Sequence, residues 1–102
     1  MAKADGFKDF VIDQLADLRG LTCRAMFGGH GLSRHGTFFG IIHKDRLYFK
    51  VSQATVALYQ NHGMKPFKPN AKQTLKSFYE VPVDVIEDAE RLTEWAERAG
   101  LP

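Results

Sequence analysis

The sequence has a single cysteine, Cys23. That excludes a disulfide within the chain and any Cys-x-x-Cys metal or redox motif. Long apolar runs are also missing: the opening Met1-Ala2-Lys3-Ala4-Asp5-Gly6 does not lead into one, so no signal peptide or membrane span is readable. Together these two deficits predict a cytoplasmic protein with no membrane partner. Acids are scarce in the middle. Residues 18–79 hold ten Lys or Arg against Asp45 alone, a net of +9. No pair of carboxylates is therefore available there for general acid–base work. The remaining acids sit at the ends, leaving residues 1–17 at −2 and residues 80–102 at −5. They read as helix caps and solvated helix faces. A basic middle between acidic ends fits either a basic binding face or acidic helices neutralising a basic sheet, and the second reading is preferred.

Other deficits exclude particular chemistries. Gly28-Gly29-His30-Gly31 is rich in glycine, but no Gly-Lys-Ser/Thr follows and no helix signal opens there. It reads as a bend between strands rather than a phosphate cradle. Cys23, His30, His35, His43 and His62 include no closely spaced ligand pair, so no metal site is expected. Cys23 reads as a small buried hydrophobe rather than a nucleophile. Ser33, Ser52 and Ser77 stand in no elbow-like context. No catalytic residue and no cofactor are expected, and the chain reads as a non-enzyme.

What is present is a globular composition: 44% hydrophobic, with eight Phe, three Tyr and Trp95. A length of 102 residues fits one domain spanning the chain, 1–102. Phe7, Phe10, Val11, Gln14, Leu15 and Leu18 recur at helical spacing. They predict a first helix capped by Asp5 or Gly6, running to about Arg19 and stopped by Gly20. Residues 22–51 read as an antiparallel meander: Thr22–Phe27, Gly31–Arg34, Thr37–His43 and Arg46–Val51. His35-Gly36 and Lys44-Asp45 form its two tight turns. Ser52 predicts a cap for a second helix to about Gln60, with Gly63 as its stop. Lys65–Pro69 reads as extended or looped, and Leu75–Val81 as a last strand. Asp84 has the spacing of a capping box for a final helix that buries Ala89, Leu92, Trp95, Ala96 and Ala99 and ends at Gly100 and Pro102. The fold class is α+β in two layers, an antiparallel meander sheet packed with terminal helices. Leu47, Phe49 and Val51 are expected to face the core against Phe10, Leu15 and Trp95.

Arg46, Tyr48 and Lys50 alternate onto the opposite face of their strand. With Arg24, Arg34 and Lys44 they form the candidate binding face. Aromatic and basic residues on strands can stack bases and hold phosphates, but the Gly-Phe-Gly-Phe pattern of an RNA-binding sheet is missing.

Three blocks carry a family resemblance: Arg24-Ala25-Met26-Phe27-Gly28-Gly29-His30-Gly31-Leu32, Arg34 through Ile42, and Arg46-Leu47-Tyr48-Phe49-Lys50-Val51. It continues through Gly63-Met64-Lys65-Pro66-Phe67, Tyr79-Glu80-Val81-Pro82 and the closing helix with Leu92 and Trp95. In this order the blocks resemble the N-terminal domain of TfoX-type competence regulators. The resemblance implies a two-layer fold similar to secretion-chaperone-like domains and a role in regulating gene expression or natural competence. In full-length regulators a second, C-terminal domain follows. The family carries no catalytic residues over to this chain. The resulting expectation is a non-enzymatic regulatory domain that binds an unidentified protein partner, acting as a homodimer in one version, with direct nucleic-acid binding through the basic strand face as the alternative.

Overall fold

The computed structural model describes residues 3–26 and 28–99. Two short loops build the centre of the sheet. His35 and Gly36 have φ of 50° and 84°, and Lys44 and Asp45 have φ of 52° and 61°. Positive φ at both central residues gives the primed turn whose twist matches that of paired strands. These turns join β2 (Gly29–Arg34) to β3 (Thr37–His43), and β3 to β4 (Arg46–Lys50). β1 (Leu21–Met26) pairs with β2 in an unbroken antiparallel register from Leu21↔Arg34 to Met26↔Gly29. The bend between them uses Gly28 at φ 75°. It also needs Gly29, where an added Cβ would meet the Ile42 carbonyl. The expected end of β1 at Phe27 lies outside the described residues.

β4 leads into α2 (Val56–Asn61), then β5 (Pro66–Asn70) and β6 (Gln73–Glu80). β6 returns beside β4, giving the sheet order β1-β2-β3-β4-β6-β5, all antiparallel. β5, read from sequence as extended or looped, is an edge strand. That is where Pro66 and Pro69 can stand, since each lacks an N–H for a second neighbour. α1 (Lys3–Gln14), α3 (Val83–Ile86) and α4 (Ala89–Arg98) complete the chain. The two-layer α+β expectation holds, with helices over one face of an open sheet.

Several boundaries differ from expectation. α1 starts before Asp5 and Gly6, so neither caps it, and it ends at Gln14 rather than near Arg19. Beyond Gln14 the chain tightens through i→i−3 bonds, Ala16 to Asp13 (3.2 Å) and Leu18 to Leu15 (2.9 Å), which still deliver Leu18 to the core. Phe10 is 43% exposed rather than packed on β4. The inward stripe is Val11, Leu15 and Leu18. Gln14, the polar member of the predicted stripe, lies at a seam: its amide donates to the Ile86 carbonyl (2.8 Å) and ties α1 to α3. Ser52 caps a turn, accepting from Ala54 N–H (3.2 Å), and α2 begins only at Val56. Gly63, at φ 74°, does close α2, with its N–H on the Gln60 carbonyl (2.9 Å).

The closing helix is two helices. Pro82 precedes α3, and Asp88, in an extended conformation, separates it from α4. The cap of α4 is thus Asp88, which accepts from Arg91 N–H (3.2 Å). Asp84 instead meets the Arg91 guanidinium at 3.3 Å. The predicted stops at Gly100 and Pro102 lie outside the described residues.

The main core lies between the helices and one sheet face. Leu15, Leu32, Phe39, Leu47, Phe49, Leu92 and Trp95 meet there, with Val51 partly buried at its margin. Trp95 packs edge-on against Tyr59 at 4.8 Å.

Candidate functional site

Strand alternation gives the sheet two different faces. Directly opposed residues on antiparallel strands point the same way. One row across five strands is Cys23↔Leu32↔Gly40↔Phe49↔Tyr79, on the helix side. The adjacent row is Arg24↔Gly31↔Ile41↔Tyr48↔Glu80, on the side without helices. The register shift between Leu32 and Ser33 leaves Phe39 as an extra residue on β3. Phe39 joins the main core, while Phe38 and Ile41 flank it on the helix-free side.

That helix-free face carries a second apolar cluster drawn entirely from strands. Ile41, Tyr48, Phe67 and Phe78 are buried there, and Phe38 and Leu75 pack against them. Register shifts at Pro66/Phe67 and Phe67/Asn70 bend the β5–β6 arm. The bend lays the Phe67 ring 4.5 Å from Tyr48 and 5.4 Å from His43. Phe38 and Phe78 approach at 5.5 Å. Between this arm and the β1–β3 side runs a groove of about 510 Å³. Its lining includes Met26, Phe38, Ile41, His43, Phe67, Leu75 and Phe78, with Asn70 and Gln73 at the β5–β6 turn.

The sequence-predicted face divides over this geometry. Arg24, Arg46, Tyr48 and Lys50 fall on the helix-free side by register. Arg34, opposed to Leu21 and Thr37, alternates to the other side and is half-buried, its Nε enclosed without a hydrogen-bond partner. Lys44 stands in the β3–β4 turn. Arg46 donates to Glu80 (2.8 Å), and that hydrogen bond holds its guanidinium pKa above the ordinary value. Its neutralising acid comes from the neighbouring strand, not from a terminal helix as the charge pattern suggested. Tyr48 is only 9% exposed. Burial raises its phenol pKa, the Glu80 carboxylate adds to this, and Arg46 opposes it.

The apolar members of this face were legible in the sequence only in part. The signal for Phe38 and Ile41 was there: Thr37–His43 is apolar on both sides, as a strand buried on both sides must be. Phe67, between two prolines, and Leu75, beyond a bulge, carried no such signal.

Elsewhere, Cys23 is half-buried beside α1, and burial raises its thiol pKa, with Lys8 opposing and Asp9 adding. Burial pushes the Tyr59 phenol well above its usual range. Among the described residues, no three His, Cys, Asp or Glu side chains gather as metal ligands, and no helix is long and apolar enough to cross a membrane.

Residues 13–100 match the family model of the TfoX N-terminal domain. No curated protein matches this chain.

Proposed function

This chain belongs to the TfoX N-terminal domain family, and from that premise we propose that it is a non-enzymatic, cytoplasmic regulatory domain that binds another protein through the helix-free face of its sheet. The observation that carries the reading is the apolar strand cluster on that face, rimmed by Arg24 and Lys50. A sheet normally covers such a face with helices or exposes it as polar. Here strands alone close the cluster, and Phe38 and Leu75 stay half-buried at its margin beside charged neighbours, an arrangement that matches the apolar centre and polar rim of an interface. The regulation of competence or transcription is the role the family supports. Self-association belongs to the same reading. β1 is a six-residue edge without proline, whereas β5 is blunted by Pro66 and Pro69. A second copy could therefore extend the sheet at one edge only.

Direct nucleic-acid binding is the alternative reading. Tyr48 is covered by Phe67 and Arg46 is paired with Glu80, which leaves Arg24, Lys44 and Lys50 of the candidate face for phosphates and takes the best base-stacking ring away. Fluorescence anisotropy with labelled duplex and single-stranded oligonucleotides separates the two. The protein-binding reading expects affinity weaker than about 10 μM at physiological salt. Submicromolar binding that survives physiological salt and weakens with Lys50→Ala would favour the alternative.

A further inference from the structure

We infer that the groove on the helix-free face is a binding site for a small, uncharged, mainly apolar molecule. The inference rests on that face being the working surface, and it adds a small-molecule site to it. The volume, about 510 Å³, lies within the range of roughly 300–1,000 Å³ typical of small-molecule sites. The walls are aromatic and aliphatic: Phe38, Ile41, Phe67, Leu75 and Phe78.

The lining fixes the chemical class. Among the described residues, no Lys, Arg, Asp or Glu lines the groove. On the same face Arg46 and Glu80 satisfy each other at 2.8 Å. An ionised ligand would shed its hydration and find no counter-charge, at a high cost. An imidazole and two carboxamides supply the polar contacts: His43, Asn70 and Gln73. The Asn70 Oδ1 already accepts from Lys72 N–H (2.9 Å), which leaves its amide N–H groups to donate. A molecule with one or two neutral polar atoms on an apolar body suits this pattern.

The groove is also built rather than incidental. Ring contacts of Phe67 with Tyr48 and His43 hold one wall in place before any ligand arrives. Gly31 lies under the other wall, where a Cβ would strike the Met26 sulfur and the Phe38 ring edge. Without that Cβ, both side chains can lie low across β2. Met26, with three rotatable bonds, can then adjust to the shape of the guest.

The test uses the purified chain and N-phenyl-1-naphthylamine, a neutral probe that fluoresces in apolar sites, against its sulfonated relative 1-anilinonaphthalene-8-sulfonate. The expected result is saturable binding of the neutral probe at one site per chain, with the sulfonate at least tenfold weaker. Gly31→Leu, which displaces the Met26 and Phe38 side chains that line the groove, should weaken the neutral probe at least tenfold. In case that variant does not fold, methyl NMR of the unaltered chain gives an independent reading. Met26, Ile41 and Leu75 should shift on titration while Leu32 and Leu92 stay fixed. Unsaturable binding, equal affinity for the sulfonate, or shifts confined to Leu32 and Leu92 would overturn the inference. Loss of probe binding with a protein partner still captured sinks this site alone. Probe binding with no partner captured sinks the protein-binding reading alone.

Discussion

On one side of the sheet, the row Cys23, Leu32, Gly40, Phe49 and Tyr79 lies beneath helices; one residue along each strand, the row Arg24, Gly31, Ile41, Tyr48 and Glu80 meets only the β5–β6 arm and solvent. Both rows contain a glycine and a buried aromatic, yet their neighbours differ. Gly40 faces Leu32 Cδ1 at 3.2 Å and both Phe49 Cδ1 and the Tyr48 carbonyl at 3.3 Å, measured from the position of an added Cβ. Gly31 faces the ends of two side chains, Met26 and Phe38. The helix side is closed by backbone and core. The other side is closed by movable groups, so one face packs as a fixed core and the other as an adjustable surface.

The largest expected effect tests that contrast through the aromatics. Phe49 is fully buried in the main core, and Phe49→Ala should cost about 3–5 kcal/mol in urea unfolding. Phe67 is also buried, but its cluster borders solvent, so water and the arm can take up part of the lost volume. Phe67→Ala should cost about half as much, roughly 1.5–2.5 kcal/mol. Equal losses would mean that the two clusters are equivalent cores.

The glycines provide a smaller and finer test. Gly40→Ala puts a methyl against a carbonyl that cannot turn away, and should cost about 1–3 kcal/mol. Gly31→Ala displaces only the Met26 sulfur and a ring edge, and the reduced entropy of the unfolded chain offsets part of that. Its net effect should stay within about 0.5 kcal/mol of zero. A Gly31 penalty matching that at Gly40 would show the open face to be packed as rigidly as the core.

A third test changes no fold energy and reads the closed side directly. Burial holds the Cys23 thiol above its ordinary pKa, so less thiolate is present at a given pH than in a free thiol. Alkylation should run slower than for a free cysteine at pH 8, and keep accelerating with pH after the free thiol has levelled off. A faster reaction than the free thiol would mean that the Lys8 charge, and not burial, governs the site.

Much of the helix side was legible in the sequence because periodicity reports burial. The alternation of Leu47, Phe49 and Val51, and the turn signals at His35-Gly36 and Lys44-Asp45, led to the correct strands and register. Helix ends were less legible: Asp84 has the spacing of a capping box, yet it falls in the first turn of the short α3, and Asp88 caps the helix that follows. The candidate face was half legible. Arg46, Tyr48 and Lys50 do share a side, but nothing local told that Phe67, far along the chain, would cover Tyr48. A ring brought over by a bulged arm is a long-range event with no period to betray it.

The most direct test of the helix-free face as the working surface is capture of partners from native lysate after nuclease treatment, comparing three forms of the chain. Leu75→Glu places a charge at the margin of the groove, and Phe10→Glu places one at an exposed position on the helix layer. Circular dichroism establishes that all three are folded. The account predicts a nuclease-resistant partner held by the unaltered chain and by Phe10→Glu, and lost by Leu75→Glu. Retention by Leu75→Glu with loss by Phe10→Glu would contradict it and move the interface to the helices.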